Sequence, residues 1–128
     1  MDAASDALDT PIRVLLADLP TSLSDELVTL IGYEPDLQLI GQVAGRLNLL
    51  LAAAMADVVI SASPVADHLP GIGTHLLSEY PSLKLLVLAE DGSGITVFWR
   101  GLRRRRLGSV APSRLSGWIR QLYRRDEL

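Results

Sequence analysis

Short apolar runs alternate with amphipathic segments along most of this chain, and that alternation limits its fold more than any other feature. Ile12 to Ala17, Asp57 to Ser61 and Lys84 to Ala89 are short, mostly apolar stretches, as expected of strands covered on both faces. Leu37 to Val43 alternates apolar residues with glutamines and is a further strand candidate. Strands that alternate with helices across short loops indicate a parallel sheet with helices on both sides.

The segments between and after these strands have helical spacing. The last one is the most regular, because Leu115, Trp118, Ile119 and Leu122 form a single apolar stripe after Pro112. The predicted helices are Pro20 to Ile31, Arg46 to Ala56, Ile72 to Tyr80 and Pro112 to Arg125.

The region between the fourth strand and the last helix is less regular. Thr96 to Leu102 fits a helix poorly, and Leu107 to Val110 is a candidate short fifth strand. Five strand–helix units predict an α/β fold: a flavodoxin-like, CheY-like doubly wound (βα)5 three-layer sandwich with a five-stranded parallel sheet. In that architecture, sites form at the carboxyl ends of the strands.

Length and composition place these units in one domain. A chain of 128 residues is large enough to bury a core, and it contains no cysteine that could form disulfides or thiolate metal sites. Residues 1–10 are small and polar, so we expect a disordered leader before a domain at 11–125. The acidic start lacks the apolar core of a signal peptide, and Leu49 to Ala56 is too short to span a bilayer. These features predict a cytoplasmic protein that does not enter the membrane.

The formal net charge of −3 hides a strong asymmetry along the chain. Residues 1–96 contain three basic and thirteen acidic residues, a net of −10, whereas 97–128 contain nine arginines and two acids, a net of +7. A charge separation of this size bears on which partners a protein attracts, though not on its fold.

Several segments, taken in order, resemble the receiver domains of response regulators, in particular the LuxR type, over roughly residues 11–125. Their order and spacing carry the resemblance, since none of them is specific alone. The segments are Ile12 to Asp18 (first strand), Glu34 to Leu37 with Ile40 to Ala44 (second), Ala56 to Ala62 (third), Tyr80 to Leu88 (fourth) and Ala111 to Leu115 (start of the last helix).

The resemblance also implies that the phosphorylation chemistry has been lost. Receivers hold Mg²⁺ with an acidic pair after the first strand, but here Asp18 is followed by Leu19. Ala62 stands where the family carries the aspartate that accepts phosphate, and Ala89 stands where it carries threonine or serine. Gly108 is the nearest match to the family's lysine at the end of the fifth strand. The chain is thus expected to be a non-phosphorylatable pseudo-receiver and not an enzyme.

Other candidate sites are weaker. Ser61 and Ser63 could replace the phosphate acceptor, but serines at the end of a buried strand more often have a structural role. His68 and His75 are seven residues apart, a spacing that does not favour a metal site. No residue set indicates catalysis, and we predict no metal and no cofactor.

The arginine-rich end is the main positive feature. In receivers this surface, made by the fourth helix, fifth strand and fifth helix, forms dimers or contacts output domains. An aromatic residue beside arginine is a common interface anchor, although a solvated basic face is the plainer interpretation. The predicted interaction residues are Phe98, Trp99, Arg100, Arg103, Arg104, Arg105, Arg106, Arg114 and Trp118.

Three functions follow as hypotheses. The first is a phosphorylation-independent protein-interaction module in bacterial signal transduction or transcription control. It would dock on its partner through the arginine-rich face and could also form a homodimer. The second is a nucleic-acid-binding regulator that uses the same arginines on phosphates. The third is a small-ligand sensor, because Leu19, Ala62 and Ala89 would make the vacated acidic pocket apolar.

Overall fold

The computed structural model describes residues 11–63, 71–90, 94–99, 103–108 and 114–124. The predicted leader at 1–10 lies outside these residues. The elements, in chain order, are β1 (Ile12–Ala17), α1 (Thr21–Gly32), β2 (Leu37–Val43), α2 (Arg46–Ala52) with a 3-10 turn (Ala53–Met55), β3 (Val58–Ser63), α3 (Gly71–Glu79), β4 (Lys84–Ala89), β5 (Ile95–Trp99), β6 (Arg103–Gly108) and α4 (Leu115–Arg124).

The strands form one six-stranded mixed sheet in the order β2-β1-β3-β4-β5-β6. The first four strands pair in parallel, whereas β5 is antiparallel to β4, and β6 is antiparallel to β5. The reason lies in the length of the connections, because a parallel pair needs a crossover of a dozen or more residues. Residues 90–94 and 100–102 are too few for that, so each connection reverses the chain.

The expected five-stranded, all-parallel sheet is therefore wrong. Thr96 to Leu102, a poor helix candidate from its sequence, is a strand over its described residues, 96–99. Ile95–Trp99 is a strand whose five residues are all buried. Its sequence, Ile-Thr-Val-Phe-Trp, consists of β-branched and aromatic residues, which fit a pleated sheet better than a helix. The predicted strand at 107–110 overlaps only the end of β6, which begins at Arg103.

The three-layer α/β arrangement is confirmed, because each face of the sheet carries its own buried core. On one face Val14, Ile60 and Val97 pack with residues of α1 and α4. On the other face Val59 and Phe98 pack with residues of α2 and α3. Successive residues of β3 thus enter opposite cores, which explains why the strand reads as one continuous apolar run.

Two arginines of the described segments form ion pairs with residues that are distant in sequence. At the start of β1 the guanidinium of Arg13 contacts the carboxylate of Asp57, with Nη2 lying 3.2 Å from Oδ1. On α4, Arg120 contacts Glu34, and its Nε lies 2.5 Å from Oδ2 of Asp36. Because Glu34 and Asp36 lie between α1 and β2, Arg120 ties the last helix to this connection.

Candidate functional site

Asp18, the one acidic residue kept from the expected Mg²⁺ pair, follows the last residue of β1 and is exposed. Its φ of 51° places it in the left-handed region, which aspartate tolerates better than most residues. Its Oδ1 accepts a hydrogen bond from the backbone N–H of Gly45 at 3.0 Å. Its own backbone N–H donates to the carbonyl of Val43, also at 3.0 Å. Asp18 therefore connects the end of β1 to the segment that follows β2.

An open cleft of about 360 Å³ lies beside Asp18 at the carboxyl ends of β1 and β2. Its polar lining combines the carboxylates of Asp18 and Asp25 with the hydroxyl of Thr21 and the amide of Gln42. Leu19 also lines this cleft and packs against the core under α1 and α4. Of the predicted pocket residues, the described lining contains only Asp18 and Leu19.

The other predicted pocket residues lie further along the sheet. Ala62 is paired with Leu88, Leu88 with Ile95, and Ile95 with Gly108, so these residues form one row across four strands. At roughly 4.8 Å per strand, Gly108 is about 14 Å from Ala62. Because β5 lies between β4 and β6, Gly108 is one strand further from Ala62 than it would be in a doubly wound sheet, where its strand would pair with β4 directly. The structure therefore does not bring Gly108 near Ala62.

The carboxyl end of β3 offers little for phosphate chemistry. Ala62 is half-buried and has no side-chain oxygen, and Ala89, which pairs with Ser63, likewise carries only a methyl group. Ser61 and Ser63 are 8% and 1% exposed, so a phosphodonor would have little access to either hydroxyl in this conformation. Within the described ranges, no three His, Cys, Asp or Glu residues are grouped as a metal site would require.

The two aromatic residues predicted as interface anchors are core residues, so this part of the expected interaction surface is wrong. Phe98 is 2% exposed and Trp99 is 6% exposed. Each occupies β5, a strand covered by β4 and β6 at its sides and by a core on each face, so neither ring is open to a partner. The expectation assumed a surface helix, whose aromatic residues could have been exposed.

Four of the predicted arginines lie together on β6. Arg103–Arg106 pair with Trp99, Phe98, Val97 and Thr96, and β6 ends the order of strands in the described sheet. Arg105 is exposed. Charged residues on an edge strand discourage pairing with another chain, so this composition suits an open edge. Arg100 lies outside the described residues.

The remaining predicted residues are on or beside α4. Arg114 precedes the helix and is exposed, and Trp118 is half-buried. Arg120 is held by Glu34 and Asp36, so its charge is partly neutralised within the molecule. The expected face of two helices and a strand is thus wrong, because the segment expected as the fourth helix belongs to β5, and the predicted arginines in the described segments lie on β6 and beside α4.

The structure also reveals an exposed apolar stripe that the sequence analysis missed. Leu47, Leu51 and Met55 are 68%, 68% and 61% exposed, although they belong to the predicted helix Arg46 to Ala56. The composition could have indicated it, since this segment has leucine or alanine at nearly every position and only one side of it can face the sheet.

Comparisons with protein-family models, with curated proteins and with solved structures find no match to this chain. The likeness to receivers therefore depends on the residues quoted above. None of the helices in the described segments is both long and apolar enough to cross a lipid bilayer.

Proposed function

We propose that this protein is a pseudo-receiver: a regulatory module in the cytoplasm of a bacterium that binds a partner protein without being phosphorylated. The observation that carries the proposal is Ala62, a residue without an acceptor oxygen at the carboxyl end of β3. The strand order β2-β1-β3-β4 supports it, because flavodoxin-like sheets share this order for their first four strands. The β5–β6 hairpin is the point at which this chain departs from that architecture.

The residues around Ala62 explain why one substitution would not restore phosphorylation. Transfer of a phosphoryl group needs an attacking oxygen, a metal ion on the phosphate and a cation for the developing charge. Asp18 is committed to the backbone of Gly45, and its neighbour Leu19 cannot bind Mg²⁺. Gly108 has no charge to contribute.

Partner binding is assigned to the β6 edge and the exposed Arg114. Four consecutive arginines on β6 concentrate positive charge at one edge of the sheet, whereas the charged residues that precede them in the chain are mostly acidic. Such a patch steers acidic partners and speeds their association at low salt. We therefore propose that the partner presents a surface rich in aspartate and glutamate.

Nucleic acid is the second candidate partner, and the same run of arginines favours it, because phosphates bind arginine through paired hydrogen bonds. The overall charge of −3 opposes non-specific DNA affinity. The two candidates differ in a measurable way. Nucleic acid bound through several phosphates loses affinity steeply as salt rises, by a factor of about 10³ or more between 50 and 200 mM for six contacts.

The central experiment incubates the protein with Mg²⁺ and acetyl phosphate, then measures its intact mass. We expect no mass increase for the native chain or for Ala62→Asp. A gain of one phosphoryl group on the native chain would overturn the pseudo-receiver proposal. A receiver with a complete acidic pocket, treated in parallel, confirms that the phosphodonor is active.

A capture experiment then identifies the partner class. The protein is used as bait in lysate of its host at moderate salt, with and without nuclease, and with an Arg103–Arg106 to serine variant as control. A protein that binds native bait after nuclease treatment, but not the variant, supports the docking proposal. If only nucleic acid is recovered and salt releases it, nucleic acid replaces an acidic protein as the proposed partner.

A further inference from the structure

The exposed side of α2 and its 3-10 turn is unusually apolar for a surface. Leu47, Leu51 and Met55 follow one another at intervals of four residues, so they lie along a single side of this segment. Leu49, between them in sequence, points the other way and is 1% exposed in the core. The sheet is therefore already covered by Leu49, and the three exposed side chains have no role in the described fold.

An apolar groove lies next to this stripe. It has a volume of about 380 Å³ and runs between β2 and the segment that contains α2. Ile40, Val43 and Ala52 line it, and Met55 belongs both to the groove and to the stripe. Gln38 and Arg13, which is paired with Asp57, also line it. A protruding row of side chains thus adjoins a recess that is lined mostly by apolar residues.

The stretch of chain that forms most of this surface carries little charge. Residues 37–56 include one charged residue, Arg46, whereas 21% of the whole chain is charged, which would give about four in a stretch of twenty residues. This composition contrasts with β6, the opposite edge of the sheet, where four arginines are consecutive. Only one of the two edges is therefore protected by charge.

We propose that the β2–α2 surface, defined by Ile40, Val43, Leu47, Leu51 and Met55, binds the same surface of a second copy of this chain. In a two-fold contact each patch meets itself, so a charged patch would repel its twin, and this one would not. The protruding leucines of each copy enter the groove of the other. Because β2 and β6 are opposite edges, the dimer leaves the arginine-rich edge open for a partner.

Side chains, not strand pairing, form this contact. The register of β1 with β2 shifts between Val14 and Leu15, so that Ile40 is an extra residue on β2. An irregularity of this kind bends an edge strand and interrupts the regular row of backbone groups that a second strand would need. The apolar stripe and groove remain as the complementary features.

The test measures mass by sedimentation equilibrium from about 1 to 200 µM for the full chain and three variants. We expect the native protein to dimerise in this range and Leu51→Glu to raise the dissociation constant by at least about 30-fold, as for a buried anchor residue. Tyr33→Glu is the matched control, because Tyr33 is 80% exposed and lies outside the patch. It should dimerise like the native chain, and circular dichroism should show all variants folded.

A charge of either sign then tests whether Leu51 enters the groove of the second copy. Leu51→Lys and Leu51→Glu should each be monomeric, and an equimolar mixture should also stay monomeric, because each charge would have to be buried in that groove. A native chain that stays monomeric at 200 µM, or a dimer unaffected by Leu51→Glu, would overturn the proposal. The proposal would also be overturned if the protein left the monomer state only when lipid vesicles were added, because the stripe would then bind a membrane surface.

Discussion

The carboxylate of Asp18 accepts a hydrogen bond from the backbone N–H of Gly45, which begins the turn into α2. In the proposed relationship to receivers, Asp18 corresponds to an acid that would help to hold Mg²⁺. Here the same side chain holds two backbone segments together at the carboxyl end of the sheet. The role of Asp18 in the described fold is therefore structural.

The first prediction tests this structural role. Asp18→Ala should lower the free energy of unfolding by about 1–2 kcal/mol, because it removes the acceptor for Gly45 and places alanine at a positive φ. Asp18→Asn should cost much less, since asparagine tolerates that conformation and keeps an acceptor oxygen. Urea denaturation of both variants measures the difference. If both variants lost the same free energy of unfolding, the negative charge of Asp18 would matter and its hydrogen bond would not.

The second prediction concerns Asp57, which binds Arg13 in two ways. Its Oδ2 accepts from the backbone N–H of Arg13 at 2.9 Å and from Nε at 3.3 Å. Asp57→Ala should destabilise the fold by about 1–2 kcal/mol, because a part-buried backbone N–H loses its acceptor. Asp57→Asn keeps that acceptor and should lower the free energy of unfolding by less than about 1 kcal/mol, because the Arg13 side chain is 42% exposed and its ion pair is screened by solvent. Thermal melts at matched salt distinguish the two.

The third prediction uses a buried hydroxyl. Thr96 is 0% exposed, and its Oγ1 has no hydrogen-bond partner among the described residues. Thr96→Val keeps the shape and removes the unpaired group, so it should raise the free energy of unfolding by about 1 kcal/mol and the Tm by a few degrees. Ser24→Ala is a useful contrast, since that hydroxyl donates to the carbonyl of Thr21 and its removal should be destabilising. A lower Tm for Thr96→Val would show that this hydroxyl is satisfied in solution.

The fourth prediction concerns the β6 edge. Replacing Arg103–Arg106 with threonine should promote concentration-dependent aggregation, because an edge strand without charge can pair with other chains. Replacement of the same four residues with lysine preserves the charge and should keep the protein dispersed. Light scattering against concentration reports the outcome. If the threonine variant were as soluble as the lysine variant, these arginines would not be what protects the edge from pairing.

Three of the parallel strands were the most predictable elements. Ile12–Ala17, Leu37–Val43 and Lys84–Ala89 have the bounds that their sequence patterns predicted. β1 and β4 are apolar along most of their length, and β2 alternates apolar and polar residues, so each pattern is local and can be read directly.

The edge beyond β4 was not predictable in the same way. Ile95–Trp99 has the propensity of a strand, but its direction depends on how few residues connect it to β4. Interpreting it as the helix of a receiver-like unit placed Phe98 and Trp99 on the surface, whereas pairing on both sides buries them. The prediction that Gly108 belongs to the candidate site failed for the same reason, because the distance between Gly108 and Ala62 depends on the number of strands between them.

The hairpin that follows β4 also changes the electric field at the carboxyl edge of the sheet. After β1, β2 and β3, the chain enters a helix, and the first turn of each helix offers unpaired N–H groups and partial positive charge to anions. After β4, by contrast, the next described element is β5, a strand antiparallel to β4. Among the described elements, a phosphate at the β3–β4 end therefore has no helix terminus on its β4 side. By this account, restoring catalytic side chains alone would leave the local field poorly suited to a dianion.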